Sequence, residues 1–350
     1  MVPFRLHPML DYIFILLAVT AFALQFSCVK WYQARTVNAA MSPSAAAERS
    51  FFLSMGCSGF TVLIFFAILL LRNSDLAFTA FSLRAAVGMV VISTLCGLVG
   101  VVAFSRGNIA TYILFMMLGG MMLPFLAGIL VWGEPVSPWR IVGLILLTVS
   151  LFAPMLKSKQ ARNTKIFLLL CVIVFFLNGS ISVVTKYHQR ADRLDATSQT
   201  QPPNAEASQA KPERAEAVSP PGPRRVDELS FVLTTGMLNA PVNALLWLLL
   251  RIKRGRSPMP EVAGRKNTLR FAGVNWLIIA AYALVSGLGY LLLLHGAAKL
   301  DASILYPMVT GGTIVLTATA GFIFFREKPT RHTFAGLALA TLATLLFLGG

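Results

Sequence analysis

Acidic side chains are scarce in this chain. Its 350 residues hold 14 Asp and Glu beside 30 Lys and Arg, and charged residues make up only 13% of it, where soluble domains carry about a quarter. With 56% hydrophobic residues and a mean hydropathy of +0.72, so little charge excludes a water-soluble fold. Nucleotide-binding and hydrolytic motifs are missing too: there is no GxxxxGK[ST], HExxH or GxSxG, and His7, His188, His295 and His332 lie at the ends of apolar blocks or between them. The sequence therefore gives no support to an ATP-driven pump or a membrane enzyme. Cys28, Cys57, Cys96 and Cys171 fall inside apolar blocks without CxxC or His-partnered spacing. No metal site, disulfide framework or cofactor is expected from them. No carboxylate lies in the middle of a block either, because Asp11, Glu134, Asp301 and Glu327 all stand at block ends. A buried acid serving as a proton or cation path is not evident.

What the chain does have is apolar blocks. Ten are expected to cross a bilayer, over 11–29, 51–71, 85–104, 109–132, 138–156, 165–185, 229–250, 274–295, 303–325 and 333–349, since about 20 helical residues span ~30 Å of hydrocarbon. Only helices fit, because lipid leaves open strand edges unsatisfied and the blocks are about twice a barrel strand in length. The expected fold is an all-α integral membrane protein. The first block, from about Tyr12 to Val29, lacks a small-residue cleavage pattern and reads as the first span. The net charge of +16 is spread between the blocks as interfacial anchors, which points to lipid and away from nucleic acid. Segment 186–228, rich in Pro, Ser, Ala, Gln and charge, reads as a disordered linker.

The chain resembles itself. A shift of 193 residues places Gly119 on Gly312, Ala127 on Ala320, Gly128 on Gly321, Glu134 on Glu327, Gly143 on Gly336 and Thr148 on Thr341. Ser82-Leu83-Arg84 parallels Thr268-Leu269-Arg270, and Leu24-Gln25-x-Ser27 parallels Leu177-Asn178-x-Ser180. Five spans duplicated give two units, 1–156 and 157–350. Five is odd, so the second unit lies inverted relative to the first, an arrangement that lets a central cavity open alternately to either side.

These residues resemble the drug/metabolite transporter superfamily in its EamA-like, ten-span branch. The likeness is carried by Gly119-Gly120, Gly133-Glu134-Pro135-Val136-Ser137 and Gly143, and by Leu305-Tyr306-Pro307, Gly321, Arg326-Glu327-Lys328-Pro329-Thr330 and Gly336. It implies a secondary carrier for a small metabolite in a cell membrane, plasma or bacterial inner, with no ATP-binding part. Arg326 departs from the pattern, standing where the family has Gly, and the linker is longer than the family's. The resemblance implies cytoplasmic termini, whereas 18 of the 30 Lys and Arg lie on the face opposite the termini, which the positive-inside rule makes cytoplasmic. Orientation stays open, as does oligomeric state, a homodimer included.

Candidate solute contacts are the polar residues inside spans. Gln25 and Asn178 hold corresponding positions in the first and sixth spans, which the resemblance implies face the cavity. Their amides both donate and accept, which suits a neutral or zwitterionic solute, though such amides also serve as ties between helices. Asn275, Tyr290 and Tyr306 are further candidates, by stacking or hydroxyl contact. Glu134 and Glu327 are expected to form turns by capping helix N-termini, with gating as the alternative. Pro124, Pro241 and Pro307 are either hinges or static kinks. A structural or receptor-like membrane protein without transport would show the same apolar pattern.

Overall fold

A computed structural model describes residues 6–36, 43–104, 106, 109–152, 165–199, 226–254, 268–326 and 331–349. Ten α-helices make up the described chain: α1 Leu6–Thr36, α2 Pro43–Leu71, α3 Ala80–Phe104, α4 Ile109–Leu130, α5 Pro138–Phe152, α6 Lys165–Gln199, α7 Glu228–Arg254, α8 Thr268–Lys299, α9 Ala302–Phe325 and α10 Arg331–Gly349. Eight of them are long and apolar enough to cross a membrane, so the architecture is that of an α-helical, multi-pass membrane protein. The two shorter apolar helices are α5 and α10. The 15 residues of α5 reach about 22 Å at 1.5 Å per residue, short of ~30 Å of hydrocarbon. Ten full-length spans were expected, and these two fall short of that length within the described residues.

One expectation needs correcting. The polar segment thought to begin a linker at 186 is helical as far as Gln199, and Lys186, His188 and Gln189 are buried. Composition misleads here because each of these groups has a protein partner, which removes the penalty that normally keeps charge in water. At its other end Val226 is buried and Glu228 opens α7, and the stretch between, 200–225, lies outside the described residues.

Hydrogen bonds identify the two ends of the bundle. At one end, here the proximal end, the start of α3 meets the late part of α6 through Ser82 and His188, and the turn after α4 meets α6 and the start of α9 through Glu134. At the distal end, Arg35 late in α1 donates to Asn275 early in α8, and Arg251 late in α7 pairs with Glu48 early in α2.

The packing has a pattern. α4 packs on α6 as α9 packs on α1; α3 packs on α6 as α8 packs on α1; α3 packs on α7 as α8 packs on α2. The pairs α2–α7, α4–α9 and α5–α10 also pack. Exchanging each helix for the one five places along the chain leaves this set of contacts unchanged. Two pairs break the rule: α6 packs on α8 and α5 packs on α9, but their counterparts, α1 with α3 and α10 with α4, do not pack comparably.

The closest crossings use glycine. A Cβ on Gly119 of α4 would fall on the Phe175 backbone of α6, and one on Gly179 would lie 2.6 Å from Gly119 O, so the two backbones touch. On α9, a Cβ on Gly312 would come within 2.9 Å of Val19 of α1. Two joints also match. Gly133 after α4 has φ 62° and Arg326 after α9 has φ 52°, so an arginine adopts the left-handed turn that glycine adopts at the corresponding place, at a cost of roughly 1 kcal/mol.

Candidate functional site

Polar residues recur at helical spacing on apolar helices and converge on one chamber. On α2 these are Ser50, Ser54, Ser58 and Thr61; on α7, Thr235, Asn239 and Asn243; on α8, Tyr282, Ser286 and Tyr290. Spacings of three and four residues place each set on a single helix face. Gln25 of α1, Ser93 and Thr94 of α3, Tyr112 of α4 and Asn178 of α6 complete the wall around a cavity of about 1130 Å³. Among the described residues that line it, none is Asp, Glu, Lys, Arg or His. No residue of α5, α9 or α10 lines it. Those three helices share an apolar core with parts of α1 and α4, through Val19, Met121, Leu147, Leu305 and Phe347.

The chamber is open distally and closed proximally. Gln33 late in α1 and Ser50 early in α2 are exposed at its distal rim. Thr61, Met89 and Val232 are buried at its proximal floor. There Tyr290 Oη lies 3.4 Å from Met89 Sδ and Thr185 Oγ1 lies 3.8 Å from it.

Below the floor sits a buried polar knot contributed by the end of α6. The His188 ring stacks on Phe231 at 3.8 Å and on Phe81 at 5.6 Å, with Nε2 2.8 Å from Ser82 Oγ and Nδ1 3.2 Å from Gln189 Nε2. Lys186 Nζ donates to Ala297 O at 2.8 Å and to Leu300 O, capping the C-terminus of α8. One turn on, Arg190 Nη1 donates to Glu134 Oε1 at 3.1 Å, and its guanidinium lies over the Trp132 ring. The Glu134 carboxylate also accepts from the backbone N–H groups of Ala302 and Ser303, both at 3.0 Å, at the N-terminus of α9. The α8–α9 joint is thus held by a cation at its carbonyl end and an anion at its amide end, the signs that complement both helix dipoles. Glu134 was expected to cap a helix. The helix it caps is distant in sequence, and Gly128 leaves the space in which its carboxylate passes.

The candidates from sequence separate into groups. Gln25, Asn178 and Tyr290 line the chamber, and Asn178 also ties α6 to α4 by donating to Met116 O at 2.7 Å. Asn275 is away from the chamber, accepting from Arg35 Nε at 3.4 Å. Tyr306 is buried with its hydroxyl donating to Ser182 O at 2.7 Å, and it does not line the chamber. Pro124, Pro241 and Pro307 lie inside α4, α7 and α9, which continue through them. Glu327 lies outside the described residues. Sequence reasoning missed the hydroxyl stripe of α2, the Asn239–Asn243 pair and the α6 knot. The first two had a readable signal in their spacing of three and four.

No family model matches the chain, and no curated protein matches it. A solved crystal structure, described only as that of a protein, is similar over 95% of this chain and 95% of its own, at TM-score 0.64 and 14% identity. That likeness concerns the fold alone.

Proposed function

We propose that the protein is a secondary carrier of the drug/metabolite transporter type, moving a small neutral or zwitterionic organic solute across a cell membrane by alternating access without ATP. The observation that carries this reading is the exchangeable packing of α1–α5 with α6–α10 together with the asymmetry between the α6–α8 pair and its counterpart α1–α3. In a two-fold inverted pair, opening one end and closing the other is the same rearrangement seen from opposite sides. That asymmetry fits this: α6 and α8 are closed at the proximal end, where Lys186 joins them, and α1 and α3 are apart at the distal end, where the chamber has its rim. The matching left-handed joints at Gly133 and Arg326 support the duplication independently. On this reading all ten helices cross, α5 and α10 through a locally thinned bilayer.

In the reversed state α1 and α3 close and α6 and α8 part. Cysteines placed at Gln33 and Val101, which both line the rim, are expected to cross-link only after that reversal. The test reconstitutes the purified chain in proteoliposomes and measures uptake of a labelled metabolite mixture before and after cross-linking. Uptake above that of empty vesicles, abolished by the cross-link and restored by reductant, supports the carrier. Absence of any uptake, with the protein folded, overturns it.

A further inference from the structure

We infer that the chamber selects uncharged, polyhydroxylated solutes over zwitterions and ions, an inference that rests on the carrier reading and narrows it. Two independent properties of the wall lead there. The first is the lack of formal charge among the described residues that line the chamber. A zwitterion brings two full charges, each needing an opposite partner once water is displaced, and hydroxyl and amide dipoles compensate this only in part.

The second property is that Ser58, Ser93, Thr235 and Asn243 have committed their hydrogens to the protein. Ser58 Oγ donates to Ser54 O at 2.9 Å and Ser93 Oγ to Val90 O at 3.0 Å, while Thr235 Oγ1 donates to Phe231 O. Asn243 Nδ2 donates to Asn239 O at 2.9 Å and to Asn239 Oδ1 at 3.0 Å, which uses both of its hydrogens. What these side chains have left to offer is lone pairs. Gln25 Oε1 adds a buried oxygen without a hydrogen-bond partner on a residue that lines the chamber, and such a group lowers the free energy of the complex when a ligand donor reaches it. A wall rich in acceptors and free of charge recognises a solute that brings several O–H donors and no net or internal charge. At about 1130 Å³ the chamber holds such a solute together with bridging water, which suits hydroxyl recognition.

The experiment uses the full purified chain in detergent and five probes: uridine and xylitol as uncharged polyhydroxylated solutes, leucine as a zwitterion, tetraethylammonium as a cation and succinate as an anion. Thermal shift and tryptophan fluorescence report binding, and proteoliposome uptake reports transport. The expected result is saturable binding of uridine or xylitol at least tenfold tighter than that of the other three. Gln25→Leu is expected to weaken that binding about tenfold, the loss of one well-placed hydrogen bond, and Gln25→Glu to shift preference toward tetraethylammonium. Should Gln25→Leu fail to fold, Ser58→Ala serves as the second variant and is expected to weaken binding severalfold. Tighter binding of leucine, tetraethylammonium or succinate overturns the inference, as does binding of the neutral probes that no folded variant alters. If one of those charged probes is also taken up, the carrier reading survives the loss of this inference. If no probe binds or crosses, both fall.

Discussion

Lys186 and Glu134 do for the α8–α9 joint what a capping side chain ordinarily does for its own helix, and both reach it from elsewhere in the chain. Replacing Lys186 by Met leaves the carbonyls of Ala297 and Leu300 without their ammonium, and a lost charge-assisted bond with its unpaired acceptor costs roughly 2–4 kcal/mol. The melting temperature in detergent is expected to fall accordingly. Glu134→Gln keeps the shape but turns an NH₂ toward one of the two backbone N–H groups at α9, so a loss on the order of 2 kcal/mol is expected. Combined with Arg190→Met, the losses should fall short of additive, because the two residues share the bond of 3.1 Å between them. Additive losses in that thermal double-mutant cycle would separate the pair energetically.

At the scale of elements, the α4–α6 crossing is fixed by backbone contact. Gly119→Val would drive a branched side chain into the Phe175 carbonyl, where no rotamer gives relief, so loss of the folded protein in detergent is expected, measured by size-exclusion chromatography and melting. Gly59→Ala, where an added Cβ meets nothing within 4 Å, should raise stability by about 0.5–1 kcal/mol through helix propensity. The helices themselves were legible in the sequence because hydrocarbon admits only helices and closed barrels, and the apolar blocks are too long for barrel strands. Gln25, Asn178 and Tyr290 were legible as chamber residues for a related reason: a polar group within an apolar block needs a partner or a cavity. Asn275 and Tyr306 show the limit of that reasoning, since a backbone or side-chain partner on another helix satisfies them just as well. The α6 knot was illegible because sequence records the polarity of Lys186, His188 and Arg190 but not that Ala297, Ser82 and Glu134 come to meet them.

For the whole molecule, the lengths of α5 and α10 set up a test of topology. If both cross, residue 260 and the C-terminus lie on opposite sides of the membrane, after seven and ten crossings; if neither does, six and eight crossings place them on the same side. Reporter fusions at the two positions are expected to give opposite signals. Accessibility offers a second check: Ser54→Cys, within the chamber, should react with an impermeant maleimide from the side that labels Gln33→Cys and not from the side that labels Asn73→Cys. The two mouths are also built from unlike materials. The described residues that edge the distal rim are uncharged and that end carries the Arg251–Glu48 pair beside it, whereas the proximal seal joins a charge pair, capped helix ends and stacked rings across the closed mouth. If the carrier proposal holds, its cycle would dwell unevenly, resting with the distal mouth ajar, so that breaking the proximal seal would set the turnover.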